Sequence, residues 1–487
     1  MNQMAPETKN RADAMLGLLA PSLYSDHVKV YPRAVSGRFR NIKWAILIAC
    51  LAVYYIAPWI RWDRGPNAPD QALLLDMAGR RGYFFWIEIW PQEVYYLTGL
   101  LILGAVALFL ATALFGRVWC GYTCPQTVWT DLYMLVERWI EGDRNARIKL
   151  DQQPLSLNKA WRKVAKHTVW LVIAAATGGA WIMYFQDAPT VTREIFTGEA
   201  SGGTYFFFGL FTGTTYLLAG WAREQVCTYM CPWPRFQAAM QDEHTLAVTY
   251  QGWRGETRGK HKAGESWEGR GDCVDCRACV NVCPTGIDIR DGMQLECIGC
   301  GLCIDACDEI MTKVGRPQRL IDFVSIANLD RRANKLPAIL KLLRTRTVIY
   351  AAMLALVVAI MAGTLLTRSS WEMNVLHDRA PLYVTLSDGS LRNGYTVKLL
   401  NKTRDEHRLY LTIEGIPQAT MFMAGEGDEP ATRLPLLVQP DNVGEYRVFV
   451  KAPRPVIKES STTLRFHVVD EQGQRLTGYK STFNAPN

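Results

Sequence analysis

Eight cysteines fall in two runs, Cys273-x-x-Cys276-x-x-Cys279-x-x-x-Cys283-Pro284 and Cys297-x-x-Cys300-x-x-Cys303-x-x-x-Cys307, a spacing suited to two cubane iron-sulfur clusters. A cubane needs four thiolates at the corners of a tetrahedron. Three cysteines at two-residue gaps wrap one side of it, and the fourth thiolate comes from the other run. The spacing therefore predicts Cys273, Cys276, Cys279 and Cys307 as ligands of a first [4Fe-4S] cluster, and Cys297, Cys300, Cys303 and Cys283 as ligands of a second. Zinc knuckles use ligands in two pairs, not three close ligands and a fourth before proline, and adjacent triplets of cysteines are poor geometry for disulfides. Asp308 stands where a second proline would follow Cys307; it removes no ligand but sits where it can alter the potential of the first cluster.

Four more cysteines form two similar motifs, Cys120-Gly-Tyr122-Thr-Cys124-Pro125 and Cys227-Thr-Tyr229-Met-Cys231-Pro232, preceded by Arg117 and Arg223. The recurrence reads as an internal duplication of a unit of two membrane spans and a cysteine pair. Cysteines at i and i+4 share one helix face, so each pair can offer two sulfurs to a soft metal ion or exchange a disulfide. Thiolates select copper(I), zinc or iron-sulfur units over hard cations. The plainer alternative is a buried cysteine pair ahead of a helix-breaking proline. If the two halves pack about a pseudo-twofold axis, the four thiols converge at one end of the bundle, near the clusters. Cys50, inside an apolar stretch, reads as a small core residue.

Long apolar stretches must position these groups. Of 487 residues 49% are hydrophobic, but they are segregated: 42–60, 94–116, 168–186, 204–222 and 347–366 each run about twenty residues without an interior charge, enough to cross a bilayer as a helix. Trp44, Trp59, Trp62, Tyr95, Tyr96, Trp170, Trp181 and Tyr184 cluster near their ends as in an interfacial belt. Loop 117–167 carries nine Lys and Arg and segment 223–346 carries eighteen, whereas 187–203 carries only Arg193. The positive-inside rule puts the first two in the cytoplasm, with the amino terminus inside and the carboxyl terminus outside. Loop 61–93 has four Arg balanced by five acids. The net charge of +8 follows from this asymmetry and needs no nucleic-acid partner. A polar stretch precedes the first apolar run, so that run reads as the insertion signal instead of a cleavable leader. None of the seven histidines lies inside a span, although His167 borders the third, which argues against paired axial ligands for haem.

The remaining segments read as follows: 1–41, a cytoplasmic amino-terminal segment; 42–250, a four-helix membrane region holding both cysteine-pair motifs; 251–272, a glycine- and charge-rich flexible linker; 273–346, the dicluster ferredoxin-like domain. A fifth span follows at 347–366. Stretch 126–166 opens with an aromatic helical pattern and turns basic, as in a helix at a membrane surface. Beyond residue 370 the period changes to two. Runs at 382–386, 395–400, 408–413, 445–450, 462–469 and 479–483 alternate between turn residues, as in an all-β immunoglobulin-like sandwich spanning 370–487. Met421 and Met423, two apart on such a strand, read as core packing before copper contact.

The order of these motifs resembles that of the CcoG family of cytochrome c oxidase accessory proteins, also called FixG or RdxA, over nearly the whole chain. The resemblance implies a multi-pass inner-membrane protein of Gram-negative bacteria with a periplasmic β domain, needed to assemble the C-type (cbb) oxidase. It implies reduction of Cu(II) to Cu(I), with Cys120, Cys124, Cys227 and Cys231 handling copper and the eight other cysteines binding two [4Fe-4S] clusters. Copper ions and oxidase assembly factors or copper chaperones would be its partners; it does not supply the electron donor or the oligomeric state, a homo-oligomer included. Two other functions stay open: an electron-relay subunit of a respiratory membrane complex, and a non-enzymatic assembly scaffold whose clusters sense redox state.

Overall fold

A computed structural model describes residues 29–65, 68–262, 264–403, 405–425, 430–440 and 442–486. Most of the expected amino-terminal segment 1–41, with His27, lies outside them. The chain divides into two units, the first comprising 1–57, 101–183 and 190–354 and the second 58–100, 184–189 and 355–487.

In the first unit the opening helix is α1 (Arg38–Ile56), followed by α2 (Tyr95–Phe115), α3 (Pro125–Glu141), α4 (Arg144–Gln152), α5 (Leu157–Ile182) and α6 (Gly202–Thr215). Proline at the first position of α3 costs no hydrogen bond, because the amide it lacks would have had no partner there. Ser156 caps α5 by accepting from the Lys159 amide at 3.2 Å, and Ser201 does the same for α6 through Thr204. The helices α3 and α5 are bolted by a reciprocal pair: Tyr133 donates to the Trp170 carbonyl at 2.9 Å and Trp170 Nε1 to the Tyr133 carbonyl at 3.2 Å. Where α5 meets α6, a Cβ on Gly178 would come 2.9 Å from the Thr212 nitrogen, so glycine sets how closely the two backbones approach.

Among the described residues, three helices are long and apolar enough to cross a membrane: Arg38–Trp59, Pro91–Phe115 and Thr345–Leu366, with mean hydropathy 1.6, 2.4 and 2.4. They coincide with the first, second and fifth of the spans expected from composition. Of the other two, 168–186 is the latter part of the 26-residue α5, whose first turns carry Lys159, Arg162, Lys163 and Lys166, and 204–222 is α6 continued by a π-helical segment, Tyr216–Ala222.

The cysteine-rich part is held by a two-stranded ladder, β4 (Ala247–Tyr250) with β5 (Ile321–Val324), closing around helix α8 (Leu302–Lys313); α7 (Trp233–Met240) precedes it. The stretch expected as a flexible linker is instead folded onto the cluster loop. The Asp272 amide donates to the Arg254 carbonyl at 3.0 Å, the Gly259 amide to the Cys273 carbonyl at 3.1 Å, and Arg254 and Arg316 both pair with the buried Asp272 carboxylate. Glycine reads as flexibility in sequence, yet here it permits crowding: a Cβ on Gly271 would overlap the Gly255 carbonyl.

In the second unit, β1 (Leu73–Asp76), β2 (Arg81–Phe84) and β3 (Ile87–Ile89) form a small antiparallel sheet. After α9 (Thr345–Leu366), nine strands make a sandwich. They are β6 (Trp371–His377), β7 (Val384–Thr385), β8 (Leu391–Asn401), β9 (His407–Glu414), β10 (Thr420–Met423), β11 (Arg433–Val438), β12 (Asn442–Ala452), β13 (Ser461–Val469) and β14 (Arg475–Asn484); one sheet has order β10-β12-β8-β6 with β7 also on β8, the other β11-β9-β13-β14. Its core includes Tyr395, Val397, Leu411, Val448, Phe466 and Phe483. Met421 is fully buried and Met423 lies in the same core, so both methionines pack.

Candidate metal centre

Both cysteine pairs sit on the same local structure. Segments Trp119–Thr123 and Val226–Met230 are single π-helical turns, closed when the Cys124 amide donates to the Trp119 carbonyl at 2.9 Å and the Cys231 amide to the Val226 carbonyl at 2.7 Å. The expectation of cysteines at i and i+4 of an α-helix is thereby refined. The wider π turn ends at the second cysteine, because the proline after it has no amide to continue the ladder and disfavours helical geometry in the residue before it.

The first motif lies on the loop of the second cysteine run. A Cβ on Gly121 would stand 2.9 Å from the Ile298 carbonyl and 3.0 Å from Cys300 Cα. Tyr122 donates its hydroxyl hydrogen to the Cys300 carbonyl at 3.0 Å. Arg117 donates to the carbonyls of Leu295, Cys297 (3.2 Å) and Pro234 (3.0 Å), joining that loop to the helix behind the second motif. Cys120 packs against the apolar cluster that includes Ile298 and Cys300. The two motifs also interlock: the Cys120 thiol donates to Gln237 Oε1 at 3.1 Å, and Gln126 Nε2 donates to the Leu218 carbonyl at 2.8 Å. Gln237 is buried on α7, and no sequence signal marked it.

The run cysteines lie near one another. Cys307 feels the charges of Cys279, Cys276 and Cys273, Cys297 those of Cys300 and Cys283, and Cys303 those of Cys300, Cys297, Cys283 and also Cys279. All are free thiols. Burial, followed by repulsion between the sulfurs, raises the proton affinity of Cys303 and Cys307. Such thiols ionise only when a cation replaces the proton, which is the chemistry of a site for iron. Eight buried or half-buried soft thiols of this kind are a donor set that suits iron-sulfur clusters. Asp308 lies beside Cys307 and accepts the Arg319 amide at 2.6 Å.

The thiol pairs are buried too. Cys120 and Cys227 are each pushed up to about 12, by burial first and then by the neighbouring motif sulfurs. Cys120 feels both Cys227 and Cys231, so the motifs face one another. Among the described residues, however, no three His, Cys, Asp or Glu side chains approach closely enough to hold one metal ion. A cubane spaces its thiolates more widely than a single ion does, so this bears on the motif pairs and not on the cluster fours.

A buried charge sits between these groups. Asp131, on α3, accepts from Arg40 at 2.8 Å and pairs with Lys43 at 3.5 Å, all three almost wholly buried. The Lys43 ammonium is the foremost charge favouring ionised Cys300, and it also acts on Cys227. Sequence reading singled out neither Arg40 nor Lys43.

Family models match three parts of the chain: a 4Fe-4S dicluster domain at 222–326, a 4Fe-4S binding domain at 97–143, and the IG-like fold at the C-terminal of FixG at 361–486. The chain is 48% identical to the nitrogen fixation protein FixG of Rhizobium meliloti, covering 95% of this chain and 94% of that protein. It is 49% identical to protein RdxB of Cereibacter sphaeroides, over 95% and 97% of the two chains, and 48% identical to protein RdxA of the same organism, over 90% and 92%.

Proposed function

Since this chain belongs to the CcoG/FixG/RdxA family, whose iron-sulfur domains make it a redox protein, we propose that it reduces Cu(II) to Cu(I) at its paired thiols and so supplies copper for assembly of a C-type (cbb) cytochrome oxidase. The observation that carries this reading is the seating of the first cysteine pair on the second cluster loop, with Gly121 and Tyr122 against Ile298 and Cys300. Soft thiolates prefer Cu(I) to Cu(II), so a pair of sulfurs that binds the ion also favours its reduced state. When bound, the clusters supply single electrons. The chain's own residues position the site: Arg117 clamps the cluster loop to the second motif, Gln237 orients the Cys120 thiol, and Lys43 provides positive charge between the second cluster and Cys227. Two sulfurs suffice for one Cu(I), so the pairs can act in turn without sharing an ion.

In this reading the protein spans the bacterial inner membrane, with the cluster module in the cytoplasm and the sandwich in the periplasm, as the loop charges argue; oxidase assembly factors or copper chaperones receive the ion. A second reading is favoured by the 4Fe-4S binding domain match over 97–143, which includes Cys120 and Cys124: the pairs serve an electron relay without copper.

The deciding measurement is Cu(I) formation by anaerobically purified protein with prereduced clusters. Wild type is compared with Cys120→Ala/Cys124→Ala and Cys227→Ala/Cys231→Ala, cluster content being checked by spectroscopy. Copper reduction lost with clusters retained is the expected result. Unchanged turnover in both variants, or none in wild type, gives the relay reading its place.

A further inference from the structure

A half-open cavity of about 610 Å³ lies behind the second cysteine motif, lined by Val30, Glu137, Lys166, His167, Trp170, Trp221 and Arg223 among others. Its walls are of two kinds. One is aromatic: the His167 ring stacks on Trp221 at 5.6 Å and 16° and stands edge-on to Trp170 at 5.1 Å. The other is a buried ion network in which Glu137 pairs with Arg147 and Arg223 and lies 3.5 Å from Lys166. His167 Nδ1 is engaged by the Tyr216 hydroxyl at 2.9 Å, which fixes the ring and leaves Nε2 as its second polar atom. Burial and the neighbouring Lys166 and Lys163 lower the proton affinity of His167, so the ring is neutral at physiological pH and one of its nitrogens accepts a hydrogen bond.

The cavity borders both redox centres. Arg223, Glu224 and Gln225 on its wall lead directly into the turn bearing Cys227. On another side its lining residue Val30 is seated against Gly286, where a Cβ would fall 2.9 Å away, in the loop that follows Cys283. The lining also carries the charges of Lys29, Asp151, Lys163 and Glu224, while Trp221, 62% exposed, offers an apolar face to the outside.

Flat aromatic walls, an imidazole fixed through Nδ1 and buried cations, with the exposed Trp221 face beside them, suit the planar ring and the oxygens of a hydroquinone. We propose that this cavity binds a membrane hydroquinone, which is the electron donor to the second cluster. The inference rests on the electron-transfer reading above and names its missing donor. In the step, the hydroquinone loses two O–H protons and two electrons and becomes the quinone. His167 would accept one proton and water the other; the two electrons would leave one at a time to the cluster that Cys283, Cys297, Cys300 and Cys303 would hold, and two Cu(II) ions would be the terminal oxidant.

The test uses the full holoprotein in detergent. Binding of decylubiquinone is followed by tryptophan fluorescence, and anaerobic reduction of the clusters by decylubiquinol is followed by their paramagnetic signal, with tail-less duroquinol as a parallel arm. Wild type should bind decylubiquinone saturably and more tightly than duroquinone. His167→Phe should weaken binding at least tenfold. Trp221→Ala, at an exposed position that folding tolerates, should weaken it several-fold while leaving the dithionite-reduced cluster signal intact. Failure of wild type to bind, or equal binding by both variants, overturns the proposal. Copper reduction driven by dithionite bypasses the cavity, so its loss in wild type would overturn the copper reading alone.

Discussion

Single charges give the two clusters different surroundings. Asp308 sets a carboxylate beside Cys307, a ligand of the first, while Lys43 sets an ammonium beside Cys300, a ligand of the second. Net charge near a cluster tunes its potential, so on partial reduction the first electron should settle on the second cluster, the one next to the thiol pairs. In a redox titration monitored by paramagnetic resonance, Lys43→Met should lower the potential of the second cluster and Asp308→Asn should raise that of the first. Titrations superimposable on wild type would refute this assignment of charge. Glu137 makes a separate prediction. Burial opposes its ionisation, but Arg223, Lys166 and Arg147 overcome that and hold its pKa down to about 2. Its folded value lies below the unfolded one, so its stabilisation is present above about pH 4.5 and disappears as pH falls towards 2. Glu137→Gln takes the paired carboxylate from the buried Arg147 and Arg223, while Lys166 keeps Glu141 at 3.1 Å, and should cost about 3–5 kcal/mol at pH 7, with a much smaller difference from wild type near pH 2 in thermal unfolding. At this scale the chemistry was legible: all twelve motif cysteines could be picked out by spacing. Gln237, Arg40 and Lys43 could not, because each acts through a neighbour distant in sequence and belongs to no local pattern.

The elements that matter most are the two π turns. A proline after a second cysteine reads in sequence as a helix end, and it is one; that the preceding turn widens to i+5 bonding depends on packing against the cluster loop, which no local propensity encodes. Gly121 tests that packing. Gly121→Ala brings a methyl group to 2.9 Å from the Ile298 carbonyl, so loop or turn must shift, at a cost of about 1–3 kcal/mol. The expected outcome is an altered paramagnetic signal for the second cluster with that of the first unchanged; two unchanged signals would show that the contact transmits nothing. Among the strands, β8, β9, β12, β13 and β14 were legible from alternation. Strand β6 (Trp371–His377) follows closely on an apolar helix that masks its period. Strand β11 (Arg433–Val438) contains Pro435, which argued against a strand but is tolerated because β11 is the last in its sheet.

At the scale of the molecule, two kinds of stability coexist. The sandwich has a continuous apolar core with no cysteine in it, whereas the core around the runs includes Cys273, Cys279 and Cys307 themselves. Iron removal should therefore affect them differently. Residues 370–487 expressed alone should show a cooperative thermal transition by circular dichroism that chelators do not move, while the full chain should lose a separate, lower-stability transition when its clusters are stripped; a chelator-sensitive sandwich would contradict this division. Of the five spans read from uncharged stretches, three coincide with long apolar helices among the described residues; the lysines opening α5 and the π-helical continuation of α6 were not legible in that count.

One contact ties iron to the membrane part of the chain. Helix α8 carries Cys303 and Cys307, one from each ligand set, and between them Asp305, whose carboxylate accepts the Phe39 and Arg40 amides at 3.1 and 2.7 Å. Those amides open α1, which lacks a side-chain cap of its own, so the first apolar helix borrows its amino-terminal anchor from the helix the clusters organise. A newly made chain that has not yet received iron would hold that helix end undocked, with bare amides and loose backbone exposed to proteases. Cluster delivery would then serve as a maturation checkpoint, and cells short of iron would clear the protein before it could occupy a place in the membrane.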